Sequence, residues 1–439
     1  MSAPSLDVKG MVEAFAKFDR DYKKGRGDSE SPDSGALGWG ESRFLDAYAK
    51  LYEVTGETRW LDRIADHFDR IIRNAKDRDG DGYLDWATPT YSTGVVRTSV
   101  LHNRGTGQVE PAHHRERDGK KANAMRDADY IVEFLTGKDY ILRENQQWQA
   151  LHRGVYRPGK PIDALPGVAF TISGRPAAGD KFRVETRGAK PLEYIVHQGM
   201  FTYPVARFVE AVSGSRALKA RYGAQAQKFV AFIRKHIVEK HERYWLDTSK
   251  ETGGYRFQED QTERYPNRIM PHNQYLALAR TFLVLKDCTK DPIYPDRVAR
   301  MARNFKRALR KTGRAYTWYY WDWVENGTPG HSQIEDTSHG NIDIGFAVEA
   351  CRRGVAFQGT DLKRLGRTLL DQMWNGSLAD PKLGSHVDRK EGESGAIQSW
   401  IDLCAWEPQV WDVCYAIFQK QGAPVQTIPT ILQAWGRMR

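Results

Sequence analysis

The sequence predicts an all-α fold: an (α/α)n toroid of about six helical hairpins with a small β insertion, formed by residues 1–439 as a single domain. Three observations lead there. Five segments repeat one plan, an apolar helix, a short polar break and a more charged helix; both ends of the chain carry helical patterns; and one stretch, at about residues 86–196, departs from the plan. A helix that is apolar on all sides is buried, and one with a charged face looks outward. Hairpins pairing the two kinds build an open solenoid or a closed ring, and helical chain ends favour closure.

Each element follows from its own pattern. LDVKGMVEAFAKFDRDY, near the N-terminus, reads as an unpaired helix able to supply a missing partner. The first hairpin runs from Arg43 to Ala75, broken at TGET. The second starts at Gly199 and breaks at SGSR, and the third starts at Asn273 and breaks at TKDP. The fourth spans Ile342 to Trp374 with its break at QGTD, and the fifth begins at Trp400, followed by TIPTILQAWGRM at the C-terminus. Within the interruption, Asn123–Arg153 is expected to be helical. Gly167–Gly188 alternates apolar and polar residues around Gly/Pro turns and is expected to form a β-hairpin or small sheet. Such an insertion covers one rim of the ring, either as a lid or as a stabilising flap.

Composition narrows the function classes. Lys and Arg number 66 against 56 Asp and Glu, a formal net charge of +10 that favours anionic partners. Part of the excess lies on solvated faces such as Arg303–Arg314, and no helix-turn-helix, zinc-finger or RNP-type motif supports nucleic acid. No run reaches the roughly 20 apolar residues of a membrane helix. The first residues lack the apolar core of a signal peptide, which leaves a periplasmic or secreted location to a removed leader and otherwise a cytoplasmic one. Cys288, Cys351, Cys404 and Cys414 are widely spaced in apolar helical patterns and read as buried free thiols. The 13 Trp and 20 Tyr offer flat rings with polar handles, suited to sugar faces or to core packing. Oligomeric state is not encoded in any visible pattern.

The chemistry-bearing residues gather just before the apolar helices. Those approaches read LGWGES (with Trp39 and Glu41), YIVHQGMFTYP (His197), RIMPHNQ (Arg268, His272, Asn273) and IEDTSHGN (Glu335, Asp336, His339, Asn341). If the inner helices run parallel, these segments converge on one end of a funnel, where helix N-termini favour anions. Asp336 also fits a plain helix cap. WYYWDWVENG, Trp318–Gly327, precedes the fourth approach; Tyr319, Tyr320 and Trp321 there form either a sugar-stacking platform or a buried plug. DRDGDGYLD places Asp77, Asp79, Asp81, the Tyr83 carbonyl and Asp85 at positions 1, 3, 5, 7 and 9 of a calcium loop, with Gly82 at the turn. Position 12 would be Thr88 rather than Glu, so a structural Ca2+ competes with a Gly/Asp-rich turn.

Over about residues 37–60 and 194–378 this arrangement resembles bacterial α/α-toroid enzymes of uronic-acid polysaccharides, the polysaccharide lyases and the glucuronyl C5-epimerase catalytic domain. The Asn-Asn-His-Ser-Tyr-Trp run of one alginate-lyase group is absent. The resemblance implies an anionic polysaccharide or oligosaccharide as partner, no nucleic acid, no membrane insertion and no cofactor required for the chemistry. It implies β-elimination, in which C5-proton abstraction places charge on the adjacent carboxylate. On that reading His197 or Tyr320 is base or acid, and Asn273, His272 and Arg268 hold the carboxylate. Glu335 and His339 orient partners or bind sugar. Asp336, Asn341, Trp39, Glu41, Tyr319 and Trp321 complete the binding surface. Three alternatives stay open: a glycoside hydrolase taking its second carboxylate from Glu41 or Asp85, a C5-epimerase, and a non-catalytic sugar-binding or scaffold protein.

Overall fold

The computed structural model describes residues 5–111, 125–165, 167–260, 262–325 and 328–438. Asn123, Ala124, Asn326 and Gly327, which fall within expected elements, lie outside them. The chain divides into two compact units, one of Met1–Ala87, Glu193–Phe257 and Asn267–Arg439, the other of Thr88–Leu192 and Gln258–Pro266.

The first unit holds the helices: α1 (Val8–Asp21), α2 (Ser42–Thr55), α3 (Arg59–Arg73), α4 (Ile195–Gly214), α5 (Arg216–Ile233), α6 (His272–Cys288), α7 (Ile293–Ala308), α8 (Thr337–Arg352), α9 (Gly359–Arg367), α10 (Gln409–Lys420) and α11 (Ile428–Met438). Their ends are set by local chemistry. Gly56, at φ 69°, closes α2 in the left-handed conformation that glycine adopts without a Cβ penalty. Ser215 ends α4 and caps α5, its Oγ accepting the Leu218 amide at 3.3 Å. Gln358 and Asp361 form a reciprocal capping box at α9.

The two helix types pack as their patterns require. Every residue of α6 from Tyr275 to Leu285 is buried, whereas α7 buries one stripe, Tyr294, Val298, Met301 and Phe305. α4 packs on α2, α5 and α6; α6 packs on α7 and α8. α8 meets the 3-10 turn Trp400–Ala405, which packs on α11, and α11 returns to α2. α4 and α6 approach closely at Gly199 of α4, where an added Cβ would lie 2.2 Å from the Leu278 nitrogen of α6. Where the fifth repeat was expected to open with a helix, Trp400–Ala405 forms the 3-10 turn before α10. Cys404 and Cys414 are buried, Cys288 and Cys351 half-buried, and all four thiols are free. No described helix is long and apolar enough to cross a membrane.

The second unit is built of antiparallel strands. β1 (Val95–His102), β3 (Ala128–Phe134), β4 (Asp139–Glu144), β5 (Ala150–Val155) and β8 (Lys181–Arg187) form a sheet in the order β1-β8-β3-β4-β5. β2 (Gln108–Pro111), β6 (Pro161–Leu165) and β7 (Val168–Ser173) form a second, ordered β2-β7-β6. One core serves both, drawing Val132, Phe134, Leu142, Phe182 and Val184 from the first and Phe170 and Ile172 from the second.

These sheets correct the sequence reading at three points. With helix at 48% and strand at 20%, the protein is a mixed α/β protein and not the all-α toroid expected. The described part of the helix expected over Asn123–Arg153 is instead strands β3, β4 and most of β5. Its apolar runs, DYIVEF and DYILRE, are short and rich in β-branched and aromatic residues, and the TGKD turn between them stops any helix. Strands do occur within Gly167–Gly188, but β7 pairs with β2 and β6 while β8 pairs with β1 and β3, so they belong to different sheets rather than one hairpin. Three further two-stranded ribbons, at Trp245–Tyr255, Arg310–Thr317 and Asp322–His331, lie in connections of the helical unit.

Candidate functional site

The starts of α6 and α8 are joined by the aromatic segment between them. The Glu335 amide donates to the Trp318 carbonyl at 3.0 Å, the Tyr320 amide to the Gln333 carbonyl at 3.0 Å, and the His272 amide to the Tyr320 carbonyl at 3.3 Å. These bonds gather His272, Asn273, Tyr320, Glu335, Asp336 and His339 into one polar cluster. Asp336 caps α8, its Oδ1 accepting the Ser338 amide at 2.8 Å and the His339 amide at 3.0 Å. Its Oδ2 meets His339 Nδ1 at 2.5 Å. That hydrogen bond raises the His339 pKa. Burial pushes the Asp336 carboxyl up, but the His339 hydrogen bond and charge and the two amides together hold it below the usual range.

Behind this half-exposed pair lies a buried acid couple. Glu335 accepts the Asp336 amide at 3.0 Å and faces Asn273 Nδ2 at 3.5 Å. Burial, then the charge of Asp343, raises Glu335 well above the carboxylate range. Asp343, fully buried on α8, is pushed up to about 6 by burial, and its Oδ2 accepts Trp318 Nε1–H at 2.9 Å. Burial and each other's charge disfavour ionisation of both acids, so the couple titrates as a unit. His272 is held on both sides, Nδ1 at 2.7 Å from the Tyr275 hydroxyl and Nε2 at 3.1 Å from Asp322 Oδ2. Burial raises the Tyr320 hydroxyl to about 12. Gln274 Nε2 lies 3.5 Å from that hydroxyl, and the Tyr320 ring is 5.3 Å from the His339 ring.

The other expected site residues have different settings. His197 is buried against Ser34 Oγ, at 3.0 Å from Nδ1, and the rings of Trp39 and Tyr194; burial lowers its pKa to about 4. Glu41 is buried on His67 and the Asp28 amide, and burial raises its pKa. Trp321 donates Nε1–H to the Ile269 carbonyl at 2.6 Å from a buried position, the plug alternative. Tyr319 stacks on His331 with the Arg310 guanidinium 4.1 Å from its ring, and Arg268 lies 5.9 Å from the Trp323 ring. Asn341 accepts the Ser399 amide at 2.9 Å and donates to Gln398 at 3.2 Å.

Two groups among the described residues bring at least three potential ligand atoms within 4.8 Å of one another: Glu335, Asp336 and His339, and Asp77, Asp79 and Asp81. In the second, Asp77 accepts the Gly80 and Gly82 amides at 2.8 and 3.1 Å, and Asp81 accepts the Tyr83 amide at 2.9 Å. A lysine enters the same turn: Lys240, fully buried, places Nζ 2.7 Å from Asp85, 3.5 Å from Asp79 and Asp81, and 3.6 Å from Glu193. Sequence reading missed Lys240 and Asp343. Asp343 had a signal, a lone acid in the apolar run IDIGFAV, whereas Lys240 sits in a charged run like any surface lysine.

No family model and no curated protein matches this chain. Solved structures that align include FlgL of Xanthomonas campestris, at 13% identity and a TM-score of 0.18, covering 53% of this chain and 86% of that one. The flagellar junction protein FlgL of Legionella pneumophila aligns at 14% identity and a TM-score of 0.17, covering 53% and 92%. Alignments that loose transfer neither fold nor role. The expected kinship with uronate lyases and epimerases rested on an all-α toroid, and the mixed α/β architecture corrects it. The lyase activity, its hydrolase and epimerase alternatives, the carbohydrate-active assignment and the polysaccharide partner go with it.

Proposed function

We propose that this chain binds a divalent transition-metal ion on Glu335, Asp336 and His339. The observation that carries this reading is the convergence of two carboxylates and one imidazole within 4.8 Å. Oxygen and nitrogen donors in that mixture suit Zn2+, Mn2+ or Fe2+ better than Mg2+ or Ca2+, which take oxygen alone. The buried acid couple supports it, since a cation offsets the negative charge that burial and Asp343 disfavour on Glu335. Asn273 and Tyr320 provide the outer polar groups that orient such ligands. At the Asp77–Asp85 turn, calcium is a lesser proposal: Asp77, Asp79 and Asp81 would hold it, with Asp85 committed to Lys240.

Because both His339 and Glu335 must lose protons to ligate, affinity falls in acid and binding releases protons. Isothermal titration with Zn2+ and Mn2+, in buffers of different ionisation enthalpy, tests this directly. The expected result is a saturable, proton-releasing isotherm, lost in the Asp336→Asn/His339→Gln double variant and unchanged in Asp79→Asn. Equal binding by that double variant, or no saturable binding of either ion, refutes the reading.

A further inference from the structure

The middle of α6 carries a charge that the fold leaves unanswered. Arg280 is 8% exposed. One Nη contacts Met200 Sδ at 3.1 Å, the guanidinium lies 4.6 Å from the Tyr203 ring, and Nε has no partner. Sulfur is a weak acceptor and a ring face satisfies no N–H in the guanidinium plane. Three half-buried arginines of the same unit are met by carboxylates. Arg353 has Glu210, Asp287 and Glu349; Arg207 has Glu53 and Glu210; Arg437 has Glu53 and Asp402. Arg280 pairs with no acid among the described residues. A buried charge without a partner is destabilising, which makes it a poor element of structure.

The surroundings show where a partner would sit. Gly345 of α8 lets both groups close on its backbone: an added Cβ would lie 3.3 Å from Arg280 Nη1 and 2.9 Å from Ser399 Oγ, too near for a side chain to fit. The guanidinium fork and a hydroxyl therefore converge beside a backbone that carries no side chain. Met200, Tyr203, Gly345 and Ser399 are each half-buried, so the place is reachable from solvent. The turn bearing Ser399 is fixed by its amide bond to Asn341 at 2.9 Å. A planar fork with donors to spare is matched by two oxygens of one carboxylate or phosphate, and a serine hydroxyl donates to a third oxygen or shares one.

We propose that Arg280 and Ser399, brought together beside the Gly345 backbone, form a binding site for the carboxylate or phosphate group of a small anionic molecule. The site is separate from the metal site proposed at Glu335, Asp336 and His339, and neither proposal depends on the other.

Isothermal titration of the full chain with inorganic phosphate and with succinate, at constant ionic strength made up with chloride, tests it. Saturable binding of at least one is expected. Phosphate alone or succinate alone identifies the source of the group, and both together leave a general oxyanion site. Arg280→Gln is expected to weaken binding by more than about tenfold, and Ser399→Ala, at a half-buried turn, by a smaller factor with an unchanged circular dichroism spectrum. Without ligand, Arg280→Gln should unfold at no lower urea concentration than wild type. No saturable binding of either anion overturns the proposal. So does affinity unaltered in both variants, or an Arg280→Gln protein that is less stable than wild type without ligand.

Discussion

Replacing Lys240 with Met tests the electrostatics of the Asp77–Asp85 turn. The lysine is fully buried, and its strongest partners, Asp85 at 2.7 Å and Glu193 at 3.6 Å, are buried as well. Asp79 is half exposed and screened by water, so the cost of removing the ammonium falls on Asp85 and Glu193. Deleting one member of a buried ion pair costs about 3–5 kcal/mol. Burial already holds Glu193 at about 7 with the lysine in place. Without it both acids rise further, and a carboxyl whose folded pKa lies above its unfolded value stabilises in acid and loses that contribution as pH rises. The deficit of Lys240→Met should therefore be largest at pH 8 and shrink towards pH 5. The variant also releases Asp85 to join Asp77, Asp79 and Asp81, so added Ca2+ should recover part of the loss at pH 8. Urea unfolding followed by helical circular dichroism, at both pH values and with and without Ca2+, measures all three effects. A variant within about 0.5 kcal/mol of wild type at pH 8, the range of an ordinary surface substitution, or one more impaired at pH 5 than at pH 8, refutes the reasoning.

Two further outcomes follow from the packing. Gly199→Ala puts a Cβ 2.2 Å from the Leu278 backbone nitrogen, where only a helix shift relieves the clash; destabilisation of at least about 1–3 kcal/mol is expected in urea unfolding, and a neutral result would mean that α4 and α6 are farther apart. Burial depresses His197 to about 4 and His241 to about 3, so stability should fall as pH drops below about 6.5, by up to about 1.4 kcal/mol per pH unit for each. Imidazole resonances that stay neutral at pH 5, and a shallower acid slope in His197→Gln, are the expected readings; titration of His197 near 6.5 contradicts the burial.

The candidate site was legible in part. The approach segments RIMPHNQ and IEDTSHGN do meet, because both lead into neighbouring buried helices and a few residues either side of Tyr320 tie them together. YIVHQ and LGWGES looked equivalent in sequence, yet His197 is packed on Ser34 and Trp39, and Glu41 on His67. The same residue type at the same place in a repeat served structure there. The aromatic run likewise divides residue by residue: Trp318 and Trp321 are buried, whereas Tyr319 and Tyr320 are only partly so.

What the sequence by itself determined was the helical half of the protein. Apolar residues at helical spacing, broken by short polar turns, specify α2 to α9 through interactions within a few residues of one another. The long-range strand pairing was decided only in three dimensions: β8 lies between β1 and β3, and β7 pairs with β2, partners dozens of residues apart that no local pattern names. The charged residues followed the same rule. Lys240 and Arg280 read as ordinary basic positions in the chain, and only the tertiary structure surrounds the first with carboxylates and leaves the second without one. Burial gives a charge its energetic weight, and burial belongs to the folded whole.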